Sequence, residues 1–314
     1  MGRYLIRRAL ISAVTLLAIS MVVFSILALA PGDPLAGFAT NPNVTPELRE
    51  RLRDQLGIND PIHIRYVKWG REYLQGNWGQ SFQTKGPVRD YIVGRVPVTL
   101  IVIGSSLLLS VVIAIPIGVI SAIKQYSAFD QISTTFAFLG FSLPTFFTGL
   151  LAILLFSVKL DWLPFVYDSQ VNGFWGNFKQ SIMPICVLGL AGAAQLTRFV
   201  RASMLETINQ DYVRTARAKG LREKTVVLFH AMRNAMIPVV TIIALQIPTI
   251  FGGAVVTEQI FRVPGIGSAL ISAIGGADTP VVMAITFGVA ILVVLFNVIA
   301  DVLYAVLDPR IKMG

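Results

Sequence analysis

Long apolar windows separated by charged segments divide the 314-residue chain. Six windows lack charged residues and are long enough to cross a bilayer, for which about 20 apolar residues are needed. A bilayer-spanning backbone must form its hydrogen bonds within its own segment, so each window predicts a transmembrane α-helix. The windows are bounded by Arg8 and Asp33, Arg95 and Lys124, Asp130 and Lys159, Lys179 and Arg198, Arg233 and Glu258, and Asp278 and Asp301.

Two features of the windows predict departures from plain spans. The fourth window is the shortest, with 18 residues from Gln180 to Thr197, and its helix is expected to continue past Arg198, whose side chain can snorkel. Prolines inside windows are expected to kink or loosen their helices. These prolines are Pro116, Pro144, Pro184 and Pro248.

The charge pattern suggests a division of the chain into three regions, at residues 1–32, 33–95 and 96–314. The first region holds a cytoplasmic tip and the first helix; a cleaved signal peptide is the alternative, but the apolar run exceeds the roughly 7–15 residues of a signal core. The second region predicts a small folded extramembrane unit with helices over 45–58 and 62–74. This unit is either a lid on the other outer loops or a docking surface for a partner. The third region is the core transmembrane domain.

Composition and charge placement give the class and the orientation. Charged residues are 14% of the chain, against roughly 25% in soluble domains, and the net charge is +9. The connection 198–233 holds eight basic and three acidic residues. Because cytoplasmic loops are enriched in Lys and Arg, both termini are predicted to be cytoplasmic.

The basic segment 205–236 predicts a helix–corner–helix elbow. Gly220 supplies the left-handed residue that commonly ends a helix in a Schellman motif, with Ala216 at the C3 position and Leu221 beyond the glycine. A second helix is predicted over 223–235, and Pro238 would mark entry into the fifth span. The first arm carries one apolar stripe at helical spacing, formed by Leu205, Ile208, Tyr212 and Ala216.

Three interpretations of this elbow compete. Its basic residues could enforce topology and hold anionic lipid headgroups. Nucleic-acid binding is disfavoured because no aromatic stacking platform accompanies the charges. The third interpretation is a corner that docks into a soluble protein partner.

Other chemistry has little support in the sequence. Cys186 lies in an apolar setting and predicts packing, and His63 and His230 fall on opposite sides of the membrane, so no metal site is expected. Glu258, at the outer end of the fifth window, could relay protons but is expected to be solvated. The chain contains no G-x-x-x-x-G-K-[ST] phosphate loop, so it is not expected to be an enzyme or to hold a cofactor.

The elbow resembles the "EAA---G" loop between the fourth and fifth spans of binding-protein-dependent ABC importer permeases. Arg214-Thr215-Ala216 stand where Glu-Ala-Ala would be, and Gly220 is the glycine. The departures from that motif look like the B-type branch of dipeptide, oligopeptide and nickel permeases. Six further segments also resemble this branch: APGDP (30–34), LGINDPIHIRYVKW (56–69), GNWGQSF (76–82), SLPTF (142–146), EQIFRVPGIG (258–267) and VLDPRIK (306–312).

The resemblance implies an all-α polytopic protein of the bacterial or archaeal cytoplasmic membrane, with six spans and the type I ABC importer permease (MetI-like) fold. The implied partners are a second homologous permease subunit, two ATPase subunits or domains that bind ATP and Mg, and an extracytoplasmic solute-binding protein. The elbow would be the coupling helix, at about 209–221. The residues expected to couple it to the ATPase are Asp211, Tyr212, Arg214, Thr215, Ala216, Lys219 and Gly220.

The transported solute and its path are less closely determined. Polar residues inside spans are candidates for the path, although a buried amide more often bonds a neighbouring helix. Peptides are the solute that the resemblance favours; nickel chelates, glutathione or another small solute are alternatives. An ion-coupled secondary transporter would require inverted repeats and a midplane ion site, and the sequence has no visible sign of either. The path candidates are Gln195, Gln246 and Asn297.

Overall fold

The computed structural model describes residues 2–29, 60–168, 170–171 and 173–307. Regular secondary structure in these residues is helical, which confirms the predicted all-α class. The helix predicted over 45–58 lies outside the described residues.

The helices are numbered in chain order. The N-terminal half contains α1 (Gly2–Leu29), α2 (Ile62–Leu74), α3 (Val88–Val93), α4 (Val96–Ile123), α5 (Ala128–Ser142), α6 (Thr145–Ala152) and the π-helical segment π1 (Ile153–Lys159). The C-terminal half contains α7 (Phe174–Ile208), α8 (Asp211–Ala218), α9 (Glu223–Thr225), the π-helical segment π2 (Val226–Ala231), α10 (Met232–Ile260), α11 (Ile266–Gly275) and α12 (Thr279–Leu307).

The predicted spans are present, but one of them is broken. Within the described residues, 5 helical stretches are long and apolar enough to cross a membrane, and a bent pair makes up to 6. The bent pair is α5 with α6 and π1, which meet at 101°. Pro144 disfavours helical backbone at Leu143, whose ψ is 126°, so the chain is extended at this point. Of the four prolines expected to interrupt spans, Pro144 therefore ends a helix, whereas the other three lie inside continuous helices.

The described chain divides into two compact units. The elbow unit comprises the described residues between 99 and 263, together with residues 295–307. The aromatic unit comprises the described residues 2–29, 60–98 and 264–294. The division into three regions at residues 32 and 95, suggested by the charge pattern, stays a prediction.

The elbow unit is organised around α7, which contacts α5, α6 and α10. Small residues bring α4 close to the same helix. The Ser110 hydroxyl donates to the Gly189 carbonyl at 2.8 Å, and a Cβ added at Gly118 would lie 2.7 Å from the Val200 Cβ. Such close contacts between small residues are a common way for membrane helices to associate.

The aromatic unit is held by ring contacts and one buried carboxylate. The Asp278 side chain is buried and accepts hydrogen bonds from the Ser81 hydroxyl and from the backbone N–H groups of Phe82, at 3.1 Å, and Gln83, at 3.2 Å. Burial raises the pKa of Tyr73 to about 12. Because the folded state thus favours the neutral phenol, its stabilising contribution is present below pH 10 and is lost as the pH rises towards 12. The ring cluster comprises Phe24, Tyr66, Trp69, Tyr73, Trp78 and Phe287.

Two glycines of α4 provide a matched test of the close packing against α7. Gly118→Ala should lower the free energy of unfolding by about 1–3 kcal/mol, because the new methyl group collides with α7. Gly104→Ala should be neutral or stabilising, since nothing lies within 4 Å of its added Cβ and alanine is preferred in helices by up to about 1 kcal/mol. Tryptophan-fluorescence melts of the purified protein in detergent measure both changes. Equal melting temperatures in the two variants would contradict the packing described for Gly118.

Candidate functional site

The first arm of the elbow is a helix separate from α7. Helix α7 ends at Ile208, and Gln210 is extended with ψ 152° before α8 begins at Asp211. The predicted stripe that continued from Leu205 to Ala216 on one helix is therefore wrong. On α8 the buried side chains are instead Val213 and Ala216, three residues apart, while Tyr212 is exposed.

The corner after α8 has the predicted Schellman geometry. Gly220 adopts φ +77°, and a Cβ there would meet nothing within 4 Å, so backbone conformation rather than space requires the glycine. Its N–H donates to the Arg217 carbonyl at 2.9 Å, and the Leu221 N–H donates to the Ala216 carbonyl at 3.4 Å. These two bonds confirm the positions predicted for Ala216, Gly220 and Leu221.

An ion pair across the corner was not anticipated from the sequence. Arg217 donates from Nε and from one terminal nitrogen to the two Glu223 oxygens, at 3.1 and 2.8 Å. The hydrogen bonds to Glu223 raise the pKa of the Arg217 guanidinium above its ordinary value. Both side chains are largely exposed, so the pair contributes at most about 1 kcal/mol. The pair bridges the last turn of α8 and the first residue of α9.

The second arm is longer than predicted. From Glu223 the chain is helical through π2 into α10, and the continuous apolar stretch runs to Ile260. Pro238 lies inside α10, so its predicted place at the entry to a separate span is wrong. Three side chains of π2, Val226, Val227 and Ala231, are buried in the same hydrophobic cluster as α8.

Six of the seven predicted coupling residues lie on the exposed side of the elbow, and Ala216 is buried. Arg214 and Asp211 form an ion pair at 3.7 Å, but both side chains are highly exposed, so the pair adds little stability. Ala216 instead packs in the core of the elbow unit. The exposed set is Asp211, Tyr212, Arg214, Thr215, Lys219 and Gly220.

An ion pair between the buried Asp130 and the partly exposed Arg201 connects α5 to α7 and was missed in the sequence. Arg201 donates from Nε to Asp130 Oδ1 at 2.6 Å and from a terminal nitrogen to Oδ2 at 2.8 Å. Asp130 also accepts from the Tyr126 N–H at 2.9 Å, while the Ser127 hydroxyl accepts from the Asp130 N–H. The signal that could have revealed it is S-x-x-D at 127–130, a helix-capping pattern that places a carboxylate at the start of α5.

A cavity of about 300 Å³ brings together two of the three path candidates. It lies at the break between α5 and α6, against α7 and α10. Gln195 and Gln246 line it, together with the hydroxyl-bearing residues Thr145 and Thr249. Asn297 does not; it lies exposed on α12.

Gln246 is the unusual member of this cavity wall. The residue is 4% exposed, and neither its amide nitrogen nor its amide oxygen has a hydrogen-bond partner among the described residues. Burying an amide without partners costs about 1–3 kcal/mol. A group kept at that cost in a cavity wall is a candidate for binding.

Glu258 differs from its prediction as a solvated carboxylate. It is 0% exposed and accepts a hydrogen bond from the Thr99 hydroxyl at 2.6 Å. The outer end of α10 is therefore enclosed by α4, which joins it to the interior of the elbow unit. Sequence position at the end of an apolar window did not reveal this enclosure.

Comparisons with known proteins cover nearly the whole chain. The family described as binding-protein-dependent transport system inner membrane component matches residues 114–313, and its N-terminal counterpart matches residues 1–103. The chain is 43% identical to the oligopeptide transport system permease protein AppB of Bacillus subtilis (strain 168), over 99% of this chain and 100% of that protein. It is 36% identical to the dipeptide transport system permease protein DppB of Escherichia coli (strain K12), over 99% of each.

A solved structure shares the fold. The crystal structure of an amino acid ABC transporter with histidines aligns with a TM-score of 0.51 at 10% sequence identity, over 68% of this chain and 93% of that one. At that identity the likeness concerns the fold alone.

The Asp130–Arg201 pair gives a testable prediction for the link between α5 and α7. Arg201→Ala should destabilise the protein by about 3–5 kcal/mol, because the Asp130 carboxylate is left buried without its partner, and Asp130→Ala should cost less, because the Arg201 side chain is 25% exposed. The double substitution should cost clearly less than the sum of the two. Thermal melts of the four proteins in detergent measure this coupling, with Lys68→Ala as the control, since Lys68 pairs with Asp60 at an exposed position. Additive effects of the two substitutions would contradict the pair.

Proposed function

Because the chain belongs to the family of binding-protein-dependent transport system inner membrane components, we propose that it is a permease subunit of an ATP-driven peptide importer. The observation that carries this proposal is end-to-end similarity to permeases named for oligopeptides and dipeptides. The protein itself is a multi-pass component of the inner, or cytoplasmic, membrane, with several apolar helices long enough to span it.

Energy for transport comes from partner subunits in this proposal. The chain has no phosphate-binding loop, so ATP and Mg would be bound by two ATPase subunits or domains. Six spans enclose little space, so a second homologous permease subunit supplies the other half of the path. An extracytoplasmic binding protein delivers the solute.

The elbow is the receiver of this energy. Its exposed face carries both charges and hydroxyls, and its corner is closed by two backbone bonds and bridged by one ion pair. The opposite face, Val213 and Ala216, is buried in the core formed with α7 and π2. A rigid corner that is polar outside and packed inside can pass movement of an ATPase groove to α7 and α10. Asp211, Arg214 and Lys219 would make the polar contacts.

Reconstitution tests the transport class and the solute. This chain, its partner permease, the ATPases and the binding protein are placed in proteoliposomes, and uptake of labelled di- and tripeptides is followed. We expect uptake that requires both ATP and the binding protein. Uptake driven by a pH gradient without ATP would reject the importer. Uptake of glutathione or nickel chelates in preference to peptides would contradict the proposed substrate but would still agree with an ATP-driven importer.

A glycine pair tests the coupling role of the corner. Gly220→Val places a β-branched residue at φ +77°, which should distort the corner and reduce ATP-dependent uptake by about tenfold or more. Gly173→Val is the matched control, because that glycine also has positive φ and open space but precedes α7, far along the chain from the elbow.

The measurements for this pair are uptake and co-purification of the ATPase. We expect Gly220→Val to insert in the membrane yet lose the ATPase or its stimulation, while Gly173→Val keeps both. Full coupled uptake with valine at position 220 would reject the coupling role.

A further inference from the structure

Gln246 lines the cavity between α5, α6, α7 and α10 with an amide that has no hydrogen-bond partner among the described residues. Its backbone is tied, since the Thr249 hydroxyl donates to the Gln246 carbonyl at 2.7 Å. Its side chain is not tied. Rotation about the glutamine χ angles can turn the amide towards the cavity that the residue already lines.

The chemistry of the wall narrows the kind of ligand. Among the described residues, no side chain that lines this cavity is charged, so it offers no counter-ion for a carboxylate or an ammonium group. Its polar side chains are two carboxamides, Gln195 and Gln246, and two hydroxyls, Thr145 and Thr249. Such groups suit neutral donors and acceptors.

Neighbouring backbone allows local adjustment at this point of α10. Pro248 lies two residues after Gln246 inside the helix and has no N–H to donate. The carbonyl four residues earlier, at Ala244, therefore lacks its usual intrahelical donor. Helix segments of this kind are tolerated in membranes where they line a cavity or are covered by protein.

We infer that this cavity is a subsite for a peptide group of the transported substrate, with the Gln246 carboxamide as its two-point partner. The carboxamide oxygen accepts from a substrate N–H, and the carboxamide nitrogen donates to the adjacent substrate carbonyl. This inference rests on the proposed peptide-import function and adds a residue and a recognised group to it. Because every peptide presents the same backbone, an uncharged amide partner recognises peptides without selecting their side chains.

The test compares a peptide with its ester analogue in the reconstituted full transporter. The probes are trialanine and the depsipeptide in which an ester oxygen replaces one backbone N–H. Gln246→Leu removes both hydrogen-bonding groups at similar volume, and Gln259→Leu is the control, because Gln259 is an exposed amide on the same helix that does not line the cavity. Every protein uses the same binding protein, so its own discrimination cancels when ratios of uptake rates are compared.

We expect the peptide-to-ester rate ratio to be about five- to tenfold higher for the wild type than for Gln246→Leu, the effect of one lost hydrogen bond. Gln259→Leu should keep the wild-type ratio. Gln246→Met, a second substitution without an amide, should behave like Gln246→Leu and serves if the leucine variant does not fold.

Equal ratios in the wild type and in both position-246 variants would overturn the subsite. A second result would also overturn it: the position-246 variants lose the partner permease on purification but keep the wild-type peptide-to-ester ratio. The Gln246 amide would then bind the partner permease rather than the substrate. Absence of ATP-dependent uptake of any peptide by the wild type would overturn the importer itself, and this result is distinct from the other two.

Discussion

Helices in a bilayer associate through close packing and polar contacts. The hydrophobic effect contributes little to this association, because lipid tails are as apolar as a leucine side chain. In the elbow unit those contacts converge on α7. Gly118 of α4 lies against Val200, and the Ser110 hydroxyl bonds the Gly189 carbonyl. The Arg201 guanidinium adds a bidentate contact to α5. The positions of the cavity and of the elbow both depend on this helix.

Helix α7 joins the candidate sites along one axis. Gln195 in the cavity wall and Ile208 at the end of the helix are separated by 13 residues, or about 20 Å at 1.5 Å per residue. Arg201, with its buried partner, lies between them. Under the proposed function, a movement of the elbow tilts α7 and so displaces Gln195 in the cavity wall. The second arm of the elbow continues into α10, so the same movement also displaces Gln246.

Much of the fold could be predicted because it depends on local composition. Apolar windows specify spans, since backbone groups in lipid have no other partners than their own segment. The Schellman corner at Gly220 was equally local, because the left-handed conformation selects glycine and sets both capping bonds. Errors arose where a local pattern had more than one structural outcome. The apolar stripe that begins at Leu205 gave no sign that the chain is extended at Gln210. The presence of Pro238 likewise gave no sign that α10 continues through this proline.

The sequence by itself determined the number of apolar windows, the all-helical class and the glycine-ended corner, because hydrophobic length and backbone preference act within a few neighbouring residues. Only the tertiary structure decided that Asp130 meets Arg201, that Glu258 is enclosed beside Thr99, and that Ala216 faces inward. It also decided that Gln195 and Gln246 share a wall that Asn297 does not reach. The residues in these contacts are up to 159 positions apart in sequence, as for Thr99 and Glu258. Such contacts depend on how the helices pack together rather than on the composition of any one helix.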